Sequence, residues 1–230
     1  MNNIYYFFIL IILSILFYYT YTFFLKNKNE VHNILYKDTL YLYDDVNTFV
    51  SISDLPKSVI GRQYSYSFWI YIKNIPSNGH FNSDFRTLKP IIYRYGSPNI
   101  YYNAVKHEIV ISFKYRDIDN YNEFYNFNLE NIPIQKWNNI IIVCENKNIK
   151  IYLDGKFKTA NKLPNVPIIS NKNLYIGEEK NNFNGHIHRI EYFNYAISKN
   201  TIQYIYNYGL NTLPSNLPTY KDKFLENKTN

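Results

Sequence analysis

Residues 137–155 read WNNIIIVCENKNIKIYLDG. Two apolar, β-branched runs, 139–144 and 149–153, are separated by Asn146, Lys147 and Asn148, which read as a tight link between paired strands. Asp154 and Gly155 follow as a hairpin signal, since a two-residue turn that matches strand twist needs residues tolerant of positive φ. Residues 156–159 then continue as a further strand. The same pattern extends upstream. In residues 64–72, YSYSFWIYI, alternation puts Tyr66, Phe68, Ile70 and Ile72 on one face and Ser65, Ser67, Trp69 and Tyr71 on the other. In residues 108–116, Ile109, Ile111, Phe113 and Tyr115 share one face. Glu108, Ser112, Lys114 and Arg116 share the other, which is polar enough to meet water. Residues 90–95, 173–176 and 186–193 supply further strands, and residues 198–208 a short helix with Ser198 as N-cap and Gly209 as its stop. Many short strands and no long amphipathic helix predict an all-β protein, a two-sheet antiparallel sandwich in which each sheet has a buried and an open face.

Ahead of these strands, no charged residue occurs between Ile4 and Leu25. As a helix that run is about 33 Å long, enough for a bilayer core of about 30 Å. Tyr5 and Tyr6 near one end and Tyr18, Tyr19 and Tyr21 near the other match the aromatic belts of a spanning helix. Met1, Asn2 and Asn3 lack the basic region of a signal peptide, and the first Ala is Ala104, so the segment is expected to be an uncleaved anchor. Lys26 and Lys28 follow it and favour a cytoplasm-facing C-terminal domain. The expected organisation is a transmembrane anchor over 1–25, a polar tether over 26–38, a sandwich over 39–209 and a loose tail over 210–230.

Composition narrows the function classes. The 230 residues carry a net charge of +7 and a single Cys, which excludes an intramolecular disulfide and cysteine-based zinc or iron–sulfur sites. Seven Gly and no glycine-rich phosphate loop argue against nucleotide chemistry, and the scattered Lys and Arg against nucleic acid. The 34 Asn, 32 Ile and 26 Tyr against three Ala point to an AT-rich genome, such as a large DNA virus or a low-GC microbe. A Tyr or Asn here therefore carries less functional information than usual.

The order of segments resembles a known family. Residues 40–72, with LYLYDDVNTFVSISDLP and YSYSFWIYI, resemble the opening of a laminin G-like, concanavalin A-like lectin/glucanase domain. Residues 137–155 resemble its central hairpin. Residues 174–198, LYIGEEKNNFNGHIHRIEYFNYAIS, are similar to its closing segment, which a short helix follows. The resemblance implies a jelly-roll sandwich with a convex and a concave face. It fixes no function, because the fold hosts enzymes, lectins and adhesion modules.

Candidate sites follow from side-chain chemistry. Glucanases of this fold carry acids in an E-x-D-x-E pattern, which is absent; Asp117 and Asp119 have the spacing but fall in the Asn-rich run RDIDNYNEFYN, read as a loop, and Glu178 and Glu179 are adjacent. Cys144, within IIIVC, is expected to be a core thiol. His186 and His188 share a strand face near Glu191 without a third metal ligand, and are expected to face solvent. Calcium needs six to eight oxygens. Asp117, Asp119 and Glu123 are its candidate ligands, with Asp44, Asp45, Asp84 and Glu178 as further acids. Trp69 and Trp137 are expected in the core. Tyr93, Arg94, Tyr95, Tyr101, Tyr102, Tyr115, Arg116, Tyr121 and Tyr125 form an aromatic-basic group suited to sugar or protein contact.

The function expected from these features is a membrane-anchored, non-catalytic recognition module that binds a glycan or glycoprotein. One alternative is a structural or assembly protein making protein contacts at a membrane, as in a virus particle. A second is a degenerate glycosidase.

Overall fold

The computed structural model describes residues 2–42, 48–58, 61–73, 88–177 and 184–213. Helix α1 (Asn2–Asn29) contains the apolar run. Residues 5–22 are exposed on all sides of it, and α1 is the one described helix long and apolar enough to cross a membrane. Twelve strands follow among the described residues: β1 (His32–Tyr41), β2 (Thr48–Val50), β3 (Gln63–Ile72), β4 (Leu88–Tyr93), β5 (Asn99–Asn103), β6 (Glu108–Arg116), β7 (Asn122–Leu129), β8 (Trp137–Glu145), β9 (Asn148–Leu153), β10 (Lys156–Lys162), β11 (Leu174–Ile176) and β12 (Gly185–Phe193). Helix α2 (Lys199–Leu210) comes last.

The strands form two six-stranded antiparallel sheets, β1-β12-β3-β8-β9-β10 and β2-β11-β4-β5-β6-β7, packed as a jelly-roll sandwich. Between them lies the main core, in which Tyr66, Phe68 and Ile70 of β3 and Ile140 and Ile142 of β8 meet Ile100, Ile109, Ile111 and Phe113 of the opposite sheet. These are the inward positions that strand alternation specifies. The turn at Asp154 and Gly155 has the expected positive φ at both residues, 50° and 69°. Cys144 is fully buried, and burial pushes its thiol up to about 12.

Four features depart from the sequence reading. First, the chain is already β-strand from His32, inside the stretch expected to be a tether; β1 pairs along β12 as the edge of the first sheet. Second, the Asn-rich run expected to be a loop supplies β7, whose Tyr125, Phe127 and Leu129 point inward.

Third, the outer face of the first sheet is covered. Ser198 caps α2, its Oγ accepting from the Thr201 N–H at 3.2 Å. The helix then lays Ile202 and Ile205 on Ile141, Val143 and Phe193. Tyr206 stacks on Trp69 with ring centroids 5.6 Å apart. Burying side chains of this size stabilises by about 1.5–3 kcal/mol each. Gly209 lies within the helix rather than stopping it, and Thr212 and Leu213 continue the packing, Leu213 against Trp69, Tyr71 and Trp137.

Fourth, His186 and His188 are buried instead of facing solvent. His186 packs edge-on to Tyr41, centroids 4.8 Å apart, and beside Tyr71. His188 Nδ1 meets Thr39 Oγ1 at 3.0 Å and its Nε2 meets Thr212 Oγ1 at 3.3 Å. Arg189, at φ 47°, forms a bulge that shifts the register of β12, so that Ile187, Ile190 and Tyr192 all reach the core while Glu191 stays on the outer face. There Glu191, 1% exposed, holds Arg189 Nε at 2.7 Å and lies 2.5 Å from His32 Nε2.

Candidate functional site

With α2 across the first sheet, the outer face of the second sheet is the open one; no helix crosses it among the described residues. Alternation places Phe49 of β2, Tyr175 of β11 and Tyr93 of β4 side by side on that face, since Tyr175 pairs with Phe49 on one side and Tyr93 on the other. Their neighbours Val50, Leu174, Ile176 and Ile92 point into the core. Tyr101, Ser112, Lys114, Phe124, Asn126 and Asn128 continue the face across β5, β6 and β7.

The connection between β4 and β5 adds Tyr95. Its backbone is held from several sides. The Asn99 side-chain oxygen accepts from the N–H groups of Arg94 at 3.2 Å and Gly96 at 2.6 Å, and the Lys114 N–H donates to the Gly96 carbonyl at 2.8 Å. Gly96 has φ 83°, and a Cβ there would run into Lys114 and come within 3.1 Å of Phe124. Only glycine allows this approach. The loop thus presents Tyr95, 55% exposed, beside Tyr93, with the Lys114 ammonium 5.9 Å from the Tyr95 ring and 6.0 Å from the Phe124 ring. Such an ammonium is attracted to both ring faces. The result is an aromatic row, Phe49, Tyr175, Tyr93 and Tyr95, closed at one end by a lysine between rings and bordered by the amides of Asn126 and Asn128. Rings offer flat apolar area at little conformational cost, and amides offer directional hydrogen bonds. Such a surface suits adsorption of a partner; among the described residues it holds no nucleophile and base within reach of each other. Its one described carboxylate, Glu108, is buried and accepts from Asn103 Nδ2 at 3.0 Å.

The residues singled out from sequence are divided by the structure. Tyr93, Tyr95 and Tyr101 share the open face, with Arg116 exposed at its margin, where its carbonyl accepts from Asn165 Nδ2. Tyr121 is exposed in the turn that follows β6. Arg94 and Tyr102 are buried, and Tyr115 and Tyr125 belong to the core-facing side of β6 and β7, Tyr125 packing 5.1 Å from Phe127. Phe49, Tyr175, Lys114 and Phe124, which complete the row, were not singled out. Their signal in the sequence is parity alone: each alternates with residues of the buried face.

The candidate calcium ligands do not gather. The Asp117 carboxylate accepts the Tyr121 N–H at 2.7 Å and closes its own turn; Asp119 is exposed in that turn, and Glu123 is exposed on β7. Among the described residues no three His, Cys, Asp or Glu are grouped to hold a metal, His186, His188 and Glu191 included. Asp44, Asp45, Asp84, Glu178 and Glu179 lie outside the described residues.

A family model described as the concanavalin A-like lectin/glucanases superfamily matches residues 44–203. The chain belongs to this superfamily. Solved structures agree on the fold. The receptor binding domain of botulinum neurotoxin D is similar at a TM-score of 0.53 and 17% identity, over 79% of this chain and 48% of that one. A second structure, of the serotype D binding domain, gives 0.55 and 18% over 78% and 45%. The serotype G binding domain gives 0.51 and 18% over 78% and 46%. The chain spans less than half the length of these relatives, and at such identities the likeness is one of fold. A comparison with curated proteins finds no match.

Proposed function

We propose that this superfamily member is a non-catalytic recognition module, held at a membrane by α1, that binds a glycan or glycoprotein with the open face of the second sheet. One observation carries the reading: the aromatic row from Phe49 to Tyr95, exposed at Phe49, Tyr175 and Tyr95 and half-buried at Tyr93, which ends where Lys114 lies between two rings and the Tyr95 loop is fixed by Asn99. A pyranose stacks its C–H face on such rings, and the flanking amides and ammonium select its hydroxyl or acidic groups. The similar structures are binding domains of botulinum neurotoxins, that of neurotoxin D a receptor binding domain, which agrees with a binding role for the fold. The engaged Glu108 and the absence of the E-x-D-x-E pattern from the sequence speak against glycosidase chemistry.

The test is a glycan array probed with the full chain in lipid nanodiscs, with calcium and with a chelator. Saturable binding to one glycan class that Tyr95→Ala abolishes supports the reading. Silence from folded, monodisperse protein overturns it and favours the structural or assembly role, in which the same row meets a protein.

A further inference from the structure

Arg94 is the least expected side chain in the sandwich. It is 2% exposed, and among the described residues no carboxylate lies within ion-pair reach of it. Its Nη1 donates to the Tyr66 hydroxyl at 2.9 Å and its Nη2 to the Ser170 carbonyl at 3.2 Å, while its Nε has no partner. The guanidinium lies 5.8 Å from the Tyr192 ring. A buried charge is normally paired, because neutral contacts do not repay its lost hydration.

Arg94 lines a cavity of about 440 Å3. Lys57 and Arg62 also line it, together with Ser58 and Ser170, and among the described residues no acidic side chain does. Ile52, Leu55 and Ile169 form an apolar wall. Three cations around a pocket with no described anion, one of them buried with an unused donor, make a built site for an anion. Guanidinium forks match phosphate oxygens in particular.

The cavity's place in the fold identifies the source of that phosphate. The Lys57 carbonyl accepts from Asn194 Nδ2 at 3.2 Å, and Asn194 Oδ1 accepts from the Val31 N–H at 2.8 Å. Only Glu30 and Val31 separate α1 from β1. Four helical residues after Leu25 rise about 6 Å, and two extended residues add at most about 7 Å. The cavity's rim is therefore tied to a strand that starts within about 13 Å of the apolar edge of α1, next to the headgroup layer. The apolar wall suits the hydrocarbon beside a lipid phosphate, which free phosphate lacks.

We infer that the Arg94 cavity binds a phosphate monoester, presented by the headgroup of an anionic lipid in the leaflet where α1 ends. The choice of a lipid rests on the membrane-anchored reading above; the phosphate chemistry does not. Binding would dock the sandwich on the bilayer by this end.

The test is the thermal midpoint of the full chain in phosphatidylcholine nanodiscs, followed by intrinsic fluorescence at constant ionic strength. One arm adds inorganic phosphate; the others include phosphatidic acid or phosphatidylglycerol in the disc. The expected result is a rise in Tm of about 5–10 °C with phosphatidic acid at a hundredfold excess over Kd, exceeding that with phosphatidylglycerol. Arg62→Gln, at an exposed position, and Arg94→Met both remove the rise. Arg94→Met also takes the partner from the buried Tyr66 hydroxyl, so it is read by the loss of the rise alone, whereas Arg62→Gln breaks no described side-chain hydrogen bond and should keep the lipid-free midpoint unchanged. An equal rise with inorganic phosphate keeps the cavity and discards the lipid as its necessary source. No rise in any arm, or equal rises with phosphatidic acid and phosphatidylglycerol that survive both substitutions, overturns the site. Failure of the chain to co-elute with nanodiscs instead overturns the anchor, and the phosphate arm then still reads the cavity.

Discussion

Gly209 passes so close to Trp69 that a Cβ built on it would lie 2.8 Å from the indole Cε2 and 2.9 Å from Cζ2. The missing side chain lets α2 settle onto the first sheet while Tyr206, one turn earlier, stacks on the same indole. Helix propensity alone would favour Ala over Gly by about 1 kcal/mol. The contact reverses that preference. Gly209→Ala is expected to lower stability by about 1–3 kcal/mol, as overpacking does, measured by chemical denaturation. A neutral or stabilising result would mean that α2 is not seated on Trp69.

Glu191 joins the start of β1 to the bulge of β12, accepting from Arg189 Nε at 2.7 Å with His32 Nε2 2.5 Å away on its other oxygen. The carboxylate is shielded by α2, and Arg189 lies 4.9 Å from the Tyr208 ring. Glu191→Ala leaves Arg189 buried without its anion, a loss of about 3–5 kcal/mol when one partner of a buried pair is removed. Amide hydrogen exchange should locate the damage: β1 opens first, while β3 and β8 keep their protection.

Stability should fall as the solution is acidified through the range in which His186 and His188 titrate. Burial lowers the His186 pKa, with Lys73 adding to the effect; burial also lowers that of His188, with Arg189 adding and Asp38 and Thr212 opposing. Above the ordinary histidine value of about 6.5, both are neutral in folded and unfolded chain alike, and their contribution is complete. Below it the unfolded chain takes up protons that the fold refuses, so stability declines until the depressed folded values are reached. The double variant His186→Gln, His188→Gln should flatten the slope of Tm between about pH 7 and 5, whatever it does to Tm itself. An unchanged slope would assign the acid sensitivity to carboxylates.

How far the sequence led depends on where the deciding information sits. The core strands β3, β8 and β9 are legible because residues such as Phe68, Ile142 and Ile151 combine strand composition with period-two burial. β7 has the same period, with Tyr125, Phe127 and Leu129 alternating with Asn126 and Asn128, but the abundance of Asn disguises it as a loop. β1 is an edge strand with register shifts around Tyr36, so its alternation is broken. His186 and His188 look solvent-facing because their cover, Tyr41 and Thr212, comes from the two ends of the domain. The site is less legible still. Tyr93 and Tyr95 are conspicuous locally, whereas Lys114 and Phe124 join them only through the pairing of β6 with β7 and the docking of Gly96. Arg94, two positions after the core residue Ile92, shares its inward parity, and only its charge and its aromatic neighbours make it look like part of the surface group.

The open face can be dissected without harming the fold, because its rings project from strands whose opposite faces carry the core. Tyr95 is 55% exposed and Phe124 52%. Truncating them removes little buried area, and surface changes of this kind stay within about 0.5 kcal/mol. If the aromatic row is the binding surface, Tyr95→Ala and Phe124→Ala should each weaken ligand binding about tenfold, the loss expected for removing about 1–2 kcal/mol of ring contact, while Tm is unchanged. Lys114→Met keeps the stem packed between the rings and removes the charge. A larger loss in Lys114→Met for acidic than for neutral glycans would identify the ammonium as the selector of acidic sugars. Equal losses would assign recognition to the rings alone, and undiminished binding in all three variants would remove this face from the function.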